Sequence, residues 1–214
     1  RILQIGYHGN TPDIALADVE RNGSVWVAID GGLYKLAIEH GRLVKHVINP
    51  AFSHMKENFI TSLKVVRGDV WIGSSQGLLR YNLTQKTLRK YHHSMAVGSL
   101  SHDYVSSLAV SAEGKLLVGT LGGVDFYQPT TDDFLHWNAG SKTNPLSSNF
   151  VNCLFVYHGF TWVGTETGGI TKLNPRPLQL ENFSHTDAVT SLSPNAVNAM
   201  YAERDGTLWV GTVE

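Results

Sequence analysis

Long apolar runs are missing from this chain. Nowhere in its 214 residues is there a stretch near the roughly 20 apolar positions that a membrane-spanning helix needs, and Arg1 opens no signal-peptide pattern. Direct membrane insertion by this segment is therefore not expected, and any anchor or targeting segment is expected outside it. Charge is also scarce: 16% of residues are charged, 17 basic against 18 acidic. A nucleic-acid surface wants a clustered basic excess, and a disordered chain wants high net charge, so neither is expected. Cysteine occurs once, as Cys153 between Asn152 and Leu154, and reads as a small buried hydrophobe rather than a reactive thiol. His92, His93 and His102 lack the spacing of a rigid zinc site, so no metal or other cofactor is expected.

What the chain does have is a repeat. Thr161-Trp162-Val163-Gly164-Thr165-Glu166-Thr167-Gly168-Gly169-Ile170-Thr171-Lys172 recurs in variant form from Val25, Val70, Leu116 and Leu208. Anchored on Trp26, Trp71, Leu117, Trp162 and Trp209, the steps are 45, 46, 45 and 47 residues. A fixed period in that range signals a repeat architecture.

Each copy has one internal grammar. The Trp and its β-branched neighbours make a short apolar strand, and Gly-Thr/Ser-x-x-Gly follows as a turn in which glycine supplies positive φ. Upstream, a first strand arrives through a tight turn, as at Arg21-Asn22-Gly23-Ser24 or Arg204-Asp205-Gly206-Thr207. Downstream comes a run ending in an aromatic: Leu88 to Tyr91, Phe134 to Trp137, Leu180 to Phe183. Four antiparallel strands per period describe an all-β fold, a β-propeller. Strands of about four to six residues and essentially no helix are expected.

Taken in order, the chain reads as one propeller segment, 1-214, with blade repeats at about 12-56, 57-102, 103-148 and 149-194, and a partial blade at 195-214. Residues 1-6, with Ile2-Leu3-Gln4-Ile5, sit where the outer strand of a preceding blade belongs. The partial blades at both ends suggest a piece of a larger propeller.

The strand pattern also sorts surfaces. Ile14, Ile60, Val105, Val151 and Val197 share one position on the first strands, and Ala17, Leu63, Leu108, Leu154 and Met200 lie three residues on. Both sets are expected to pack between blades, and Trp26, Trp71, Trp162 and Trp209 are expected to be equivalent buried residues. Ala15, Thr61, Ser106, Asn152 and Asn198 form a small, mostly polar series on the innermost strand. Their plain structural role would be hydrogen bonding to backbone at the strand entrance.

Asn195-x-Val197-x-x-Met200 with Asp205-Gly206-Thr207-Leu208-Trp209-Val210-Gly211-Thr212 resembles the two-component regulator propeller repeat. Asn58-x-Ile60 through Gly73-Ser74-Ser75-Gln76-Gly77-Leu78-Leu79-Arg80-Tyr81-Asn82 resembles it as well, and the likeness extends over nearly the whole chain. The third repeat departs most, with Leu117 for Trp and Asp125-Phe126 in the following strand. The first has Ala28-Ile29 in place of Gly-Thr. The resemblance implies the extracytoplasmic, periplasmic sensor part of a membrane signalling protein: paired seven-bladed propellers, then an immunoglobulin-like domain, a membrane helix and an output module such as a histidine kinase or diguanylate cyclase. It implies a small-molecule or oligosaccharide ligand. The expected partners are the remaining propeller and downstream domains of the same polypeptide, with a homodimer also admitted.

Two other classes compete. An enzyme, lyase or glycosidase-like, is disfavoured because Asp205-Gly206-Thr207-Leu208-Trp209 does not fit the Asp-box spacing of sialidases. The carboxylates Asp18, Asp30, Asp125 and Glu166 come from different blades and form no recognisable pair. A protein-binding scaffold of the WD-repeat kind lacks its Gly-His and Trp-Asp signatures. No catalytic residue is therefore expected in this segment. The ligand-binding candidates are Asp30, Gln76, Asn152, Glu166 and Asn198, longer polar side chains on the face where the Gly-Thr turns and first-strand entrances converge.

Overall fold

The computed structural model describes residues 14–19, 23–29, 32–40, 42–49, 60–142, 145–175 and 178–213. The sequence-predicted outer strand Ile2 to Ile5 and the candidate Asp30 lie outside the described residues. Among the described residues every regular element is a strand.

The first sheet contains β1 (Ile14–Val19), β2 (Val25–Ile29), β3 (Gly32–Glu39) and β4 (Arg42–Asn49). The second contains β5 (Ile60–Val66), β6 (Asp69–Ser74), β7 (Gly77–Asn82) and β8 (Leu88–Tyr91). The third contains β9 (Val105–Val110), β10 (Leu116–Thr120), β11 (Gly123–Gln128) and β12 (Asp133–Trp137). The fourth contains β13 (Val151–Tyr157), β14 (Phe160–Thr165), β15 (Ile170–Pro175) and β16 (Leu178–Phe183). The last pairs only β17 (Val197–Ala202) with β18 (Leu208–Thr212). Each sheet is an antiparallel meander in chain order. The first strands of successive sheets, β1, β5, β9, β13 and β17, touch one another in sequence, which is the radial order of propeller blades. The strands run from four to eight residues, longer than the expected four to six. The eight-residue pair is β3 and β4, where apolar residues continue along both arms of the first blade's outer hairpin.

Local chemistry explains the turns. Arg67 and Gly68 both take positive φ (50° and 86°), as do His158 and Gly159 (49° and 83°). This double left-handed turn matches the right-handed twist of the hairpins it joins. The Gly-Thr-x-x-Gly motif divides its glycines between two tasks. The trailing glycines Gly77 and Gly123 have φ of 113° and 127° and satisfy the expectation for a turn glycine. The leading glycines Gly73, Gly119 and Gly164 are strand residues chosen for space. A Cβ on them would stand 2.6, 2.9 and 2.7 Å from a Cγ1 of Val105, Val151 and Val197, the first residues of the next blade. The absent side chain is the socket for the neighbouring valine.

The hydroxyl that follows closes the turn. Ser74, Thr120 and Thr165 are buried, donate to Gly77, Gly123 and Gly169 carbonyls (2.9, 3.1 and 2.9 Å), and accept from backbone N–H groups inside the turn at 3.0 to 3.1 Å.

The core is a succession of inter-blade layers. Trp26 packs with Leu63, Val70, Ile72 and Tyr81 of the second blade, Trp71 with Val105, Leu108, Leu116 and Tyr127 of the third, and Leu117 with Leu154, Val163 and Leu173 of the fourth. The expectation of four equivalent buried tryptophans is corrected by this order. Trp26 and Trp71 are 1% and 2% exposed, Trp162 is half-buried, and Trp209 is 59% exposed. Each indole is covered by the next blade. Trp162 faces a two-stranded sheet, and no further blade stands beside Trp209 among the described residues.

Candidate functional site

The β6–β7, β10–β11 and β14–β15 turns and the entrances of β5, β9, β13 and β17 lie at one end of the blades, because alternate strands reverse direction. The polar series on the innermost strands has a structural cause here. In the ladder between first and second strands, Thr61, Ser106, Asn152 and Asn198 are each skipped by the pairing: Ile60 and Ser62, Val105 and Ser107, Val151 and Cys153, and Val197 and Ala199 are the paired neighbours. Each is a β-bulge residue, which re-aims its side chain out of the regular pleat. In the first blade the skipped residue is Leu16, not Ala15.

The bulge side chains join blade to blade. Thr61 Oγ1 donates to the Val105 carbonyl, and Ser106 Oγ donates to the Val151 carbonyl at 2.5 Å. These two take the plain structural role. The next bulge differs: Cys153 Sγ reaches the Val197 carbonyl (3.9 Å), and Asn152 Nδ2 instead donates to Asn198 Oδ1 (3.1 Å). Desolvation pushes the Cys153 thiol up to about 11, so it stays protonated and inert at neutral pH. The Asn152–Asn198 pair leaves Asn152 Oδ1 and Asn198 Nδ2 without partners among the described residues. A neutral acceptor and a neutral donor thus stand side by side.

Glu166, on the β14–β15 turn, is exposed, and its N–H donates to the Phe150 carbonyl (2.9 Å), two residues before Asn152. Asn152, Asn198 and Glu166 are thereby brought to one corner of the fourth and fifth blades. Gln76 is exposed on the β6–β7 turn two blades away, its N–H bound to Ser74 Oγ (3.1 Å), and does not join that corner. Phe150 at that corner, and its equivalent Tyr104 on the third blade, escaped the sequence reading. Phe150 and Tyr104, 47% and 38% exposed, immediately precede Val151 and Val105. The signal was the column Phe59, Tyr104, Phe150, Ala196, one residue before each first strand.

Of the carboxylates considered for catalysis, Asp30 lies outside the described residues and the others are engaged or isolated. Asp18 accepts from Lys64 Nζ (2.7 Å) and the Val65 N–H (2.8 Å), tying the first blade to the second. Asp125, fully buried, accepts from the Ser101 N–H (2.9 Å) and pairs with His136 Nδ1 (2.8 Å), while the Ser101 hydroxyl turns to Thr120 Oγ1 (2.8 Å). In the fourth blade the same places hold Ser147, Thr171 and Asn182: the Ser147 N–H donates to Thr171 Oγ1 (3.3 Å), the two hydroxyls pair (2.9 Å), and Thr171 Oγ1 donates to Asn182 Oδ1 (2.7 Å). The Ser-Asp-His set is therefore a charged version of a structural strap. No group of three His, Cys, Asp or Glu side chains able to hold a metal occurs among the described residues.

The bond to Asp125 raises the His136 pKa above its ordinary 6.5, against a smaller opposing effect of desolvation. The linked stability is fully present below the unfolded value and is lost as pH rises through the raised folded value. The urea midpoint of His136→Asn is accordingly expected to fall further below wild type at about pH 6 than at about pH 9. A gap that widens with pH would contradict the pairing.

The last repeat carries one further observation: residues 191–214 match the family model described as two component regulator propeller. Those residues are similar to a two component regulator propeller repeat. The chain as a whole is similar to two extracellular domains from B. thetaiotaomicron proteins described as hybrid two component systems. One shares 21% identity at TM-score 0.67, over 93% of this chain and 27% of that one. The other shares 18% at TM-score 0.63, over 96% and 35%. Virginiamycin B lyase from Staphylococcus aureus is also similar, at 11% identity and TM-score 0.62, over 92% of this chain and 62% of the enzyme. At these identities the likeness shows the propeller fold alone. The chain spans about a quarter to a third of the two extracellular domains. No curated protein matches it.

Proposed function

We propose that this chain is a ligand-sensing segment of an extracytoplasmic, periplasmic propeller region in a membrane signal-transduction protein of the sensor-kinase type. The segment itself is non-catalytic. Its ligand is an oligosaccharide, and its partners are further propeller blades and output domains of the same polypeptide. The regulator propeller repeat at residues 191–214 supports the signalling class. The corner formed by Phe150, Asn152, Glu166 and Asn198 carries the ligand reading. A sugar offers hydroxyls that pair with neutral amides and an apolar face that stacks on an aromatic ring. The amides sit on bulges of a rigid sheet, so little ordering cost opposes binding.

The test is a titration of the chain with a panel of neutral oligosaccharides, repeated on alanine variants. Phe150→Ala is expected to weaken binding about 3- to 10-fold through lost stacking. Asn152→Ala and Asn198→Ala are each expected to weaken it roughly 2- to 10-fold through lost hydrogen bonds. Affinity unchanged in all three variants would move the site elsewhere.

A further inference from the structure

A concavity lies at the end of the blades opposite that corner, where the β5–β6 and β9–β10 turns sit. It is a cleft of about 190 Å³ between the second and third blades, with Trp71 and Tyr127 in its wall, Val66, Leu116 and Pro129 adding apolar surface, and Arg67 and Lys115 among the residues that border it.

Charge inside the wall is balanced. Arg80 donates from Nε to Asp69 Oδ2 (2.8 Å), its Nη2 lies 2.7 Å from the same oxygen, and its Nη1 donates to the Tyr127 hydroxyl (2.8 Å). The Tyr127 and Tyr91 hydroxyls donate to Asp132 Oδ1 (2.6 and 2.7 Å), and Arg89 pairs with Asp132 Oδ2. Two guanidiniums thus answer two carboxylates. Burial works against the Asp132 charge, but the two hydroxyls and the guanidiniums outweigh it and hold its pKa below the ordinary value. The Arg80 guanidinium also lies 5.4 Å from the Trp71 ring and 5.7 Å from Tyr127, which fixes both rings as cleft wall.

Arg67 and Lys115 are the surplus. They come from turns of adjacent blades, and neither makes an ion pair or side-chain hydrogen bond among the described residues. Arg67 crosses between the blades: its Nη2 stands 3.0 Å from where a Cβ of Gly114 would be. Gly114, with φ of 76°, leaves that guanidinium room.

We propose that this inter-blade cleft binds a small carboxylate with an aromatic body. The two unpaired cations supply charge-assisted donors for the carboxylate. Val66 and Pro129 supply accessible apolar wall for a ring, backed by the buried Trp71, Tyr127 and Leu116. A neutral ligand would leave the cations unanswered, and a cation would be repelled by them. This site is independent of the oligosaccharide reading, since it uses the other end of the blades.

Benzoate is the probe and benzamide its neutral isostere, each titrated into the chain while the Trp71 indole and Gly114 amide resonances are followed. Benzoate is expected to move both signals and to bind about tenfold more tightly than benzamide. Arg67→Gln and Lys115→Gln remove exposed side chains and should leave the spectrum folded; each is expected to weaken benzoate about tenfold and the pair of changes to abolish the response. Equal affinity for benzoate and benzamide would overturn the proposal. So would undiminished benzoate binding by the folded double variant, or the absence of any shift at both reporter signals.

Discussion

Trp71→Ala is expected to destabilise the chain by about 3 to 5 kcal/mol, while Trp209→Ala is expected to change stability by less than about 1 kcal/mol. The two tryptophans occupy the same position of the repeat, so a difference between them cannot come from local strand propensity. It comes from the neighbour. Trp71 is 2% exposed and is covered by Val105, Leu108, Leu116 and Tyr127 of the third blade, with its ring 4.7 Å from that of Tyr127 and 5.8 Å from that of Tyr91. Truncation there removes apolar contact on two blades at once and leaves a cavity where Arg80 loses an aromatic face. Trp209 is 59% exposed and keeps one polar contact, from Nε1 to Glu203 Oε1 at 2.7 Å. Urea denaturation of both variants checks this, with half-buried Trp162→Ala falling between them. Equal losses at Trp71 and Trp209 would mean that the indole stabilises its own blade and not the inter-blade layer.

Much of this architecture was legible because a repeat repeats its errors as well as its signals. The spacing of Trp26, Trp71, Leu117, Trp162 and Trp209 marked the second strand of every blade, and the turn glycines marked where the hairpins close. Leu117 replaces a tryptophan without altering the fold, since it fills the same inter-blade layer with Leu154 and Val163. What the pattern could not reveal was how much of each layer is covered, because that depends on a neighbouring blade and not on the residue itself. Trp209 has the motif of Trp71 and a different environment.

The bulges were hidden for another reason. A strand read by alternation alone has no place for an extra residue, so Thr61, Ser106, Asn152 and Asn198 looked like a polar column when they are the points where the pairing skips. That skip decides which candidates stand together. Asn152 and Asn198 meet because both are bulge residues on adjacent first strands, whereas Gln76 sits on a turn of the second blade. Phe150 was overlooked because its column, Phe59, Tyr104, Phe150 and Ala196, lies one residue outside the strands and loses its aromatic in the last repeat.

Gly73→Ala is expected to cost about 1 to 3 kcal/mol, although alanine is a better strand residue than glycine. The gain in propensity is overridden by the next blade. The new Cβ would lie 2.2 Å from Ser62 Oγ and 2.6 Å from Val105 Cγ1. The serine hydroxyl can rotate away, but Val105 is fully buried and β-branched, with its rotamer restricted, so relief requires the third blade to shift. Val105→Ala alone is expected to cost roughly 2 kcal/mol through lost burial and a small cavity. In the double variant the alanine methyl enters the space the valine vacates, so the combined loss should fall short of the sum by about 0.5 to 3 kcal/mol. Denaturant midpoints of the two single variants and the double variant measure that coupling. Strict additivity would show that the glycine is not the socket for Val105. The first blade already carries the relaxed form of this contact: Ala28 is buried at 1% exposure in the glycine position, and the residue it faces, Ile60, is only half-buried. A methyl is therefore accommodated where the residue opposite is only half-buried, and the leading glycine is needed where a valine is fully buried.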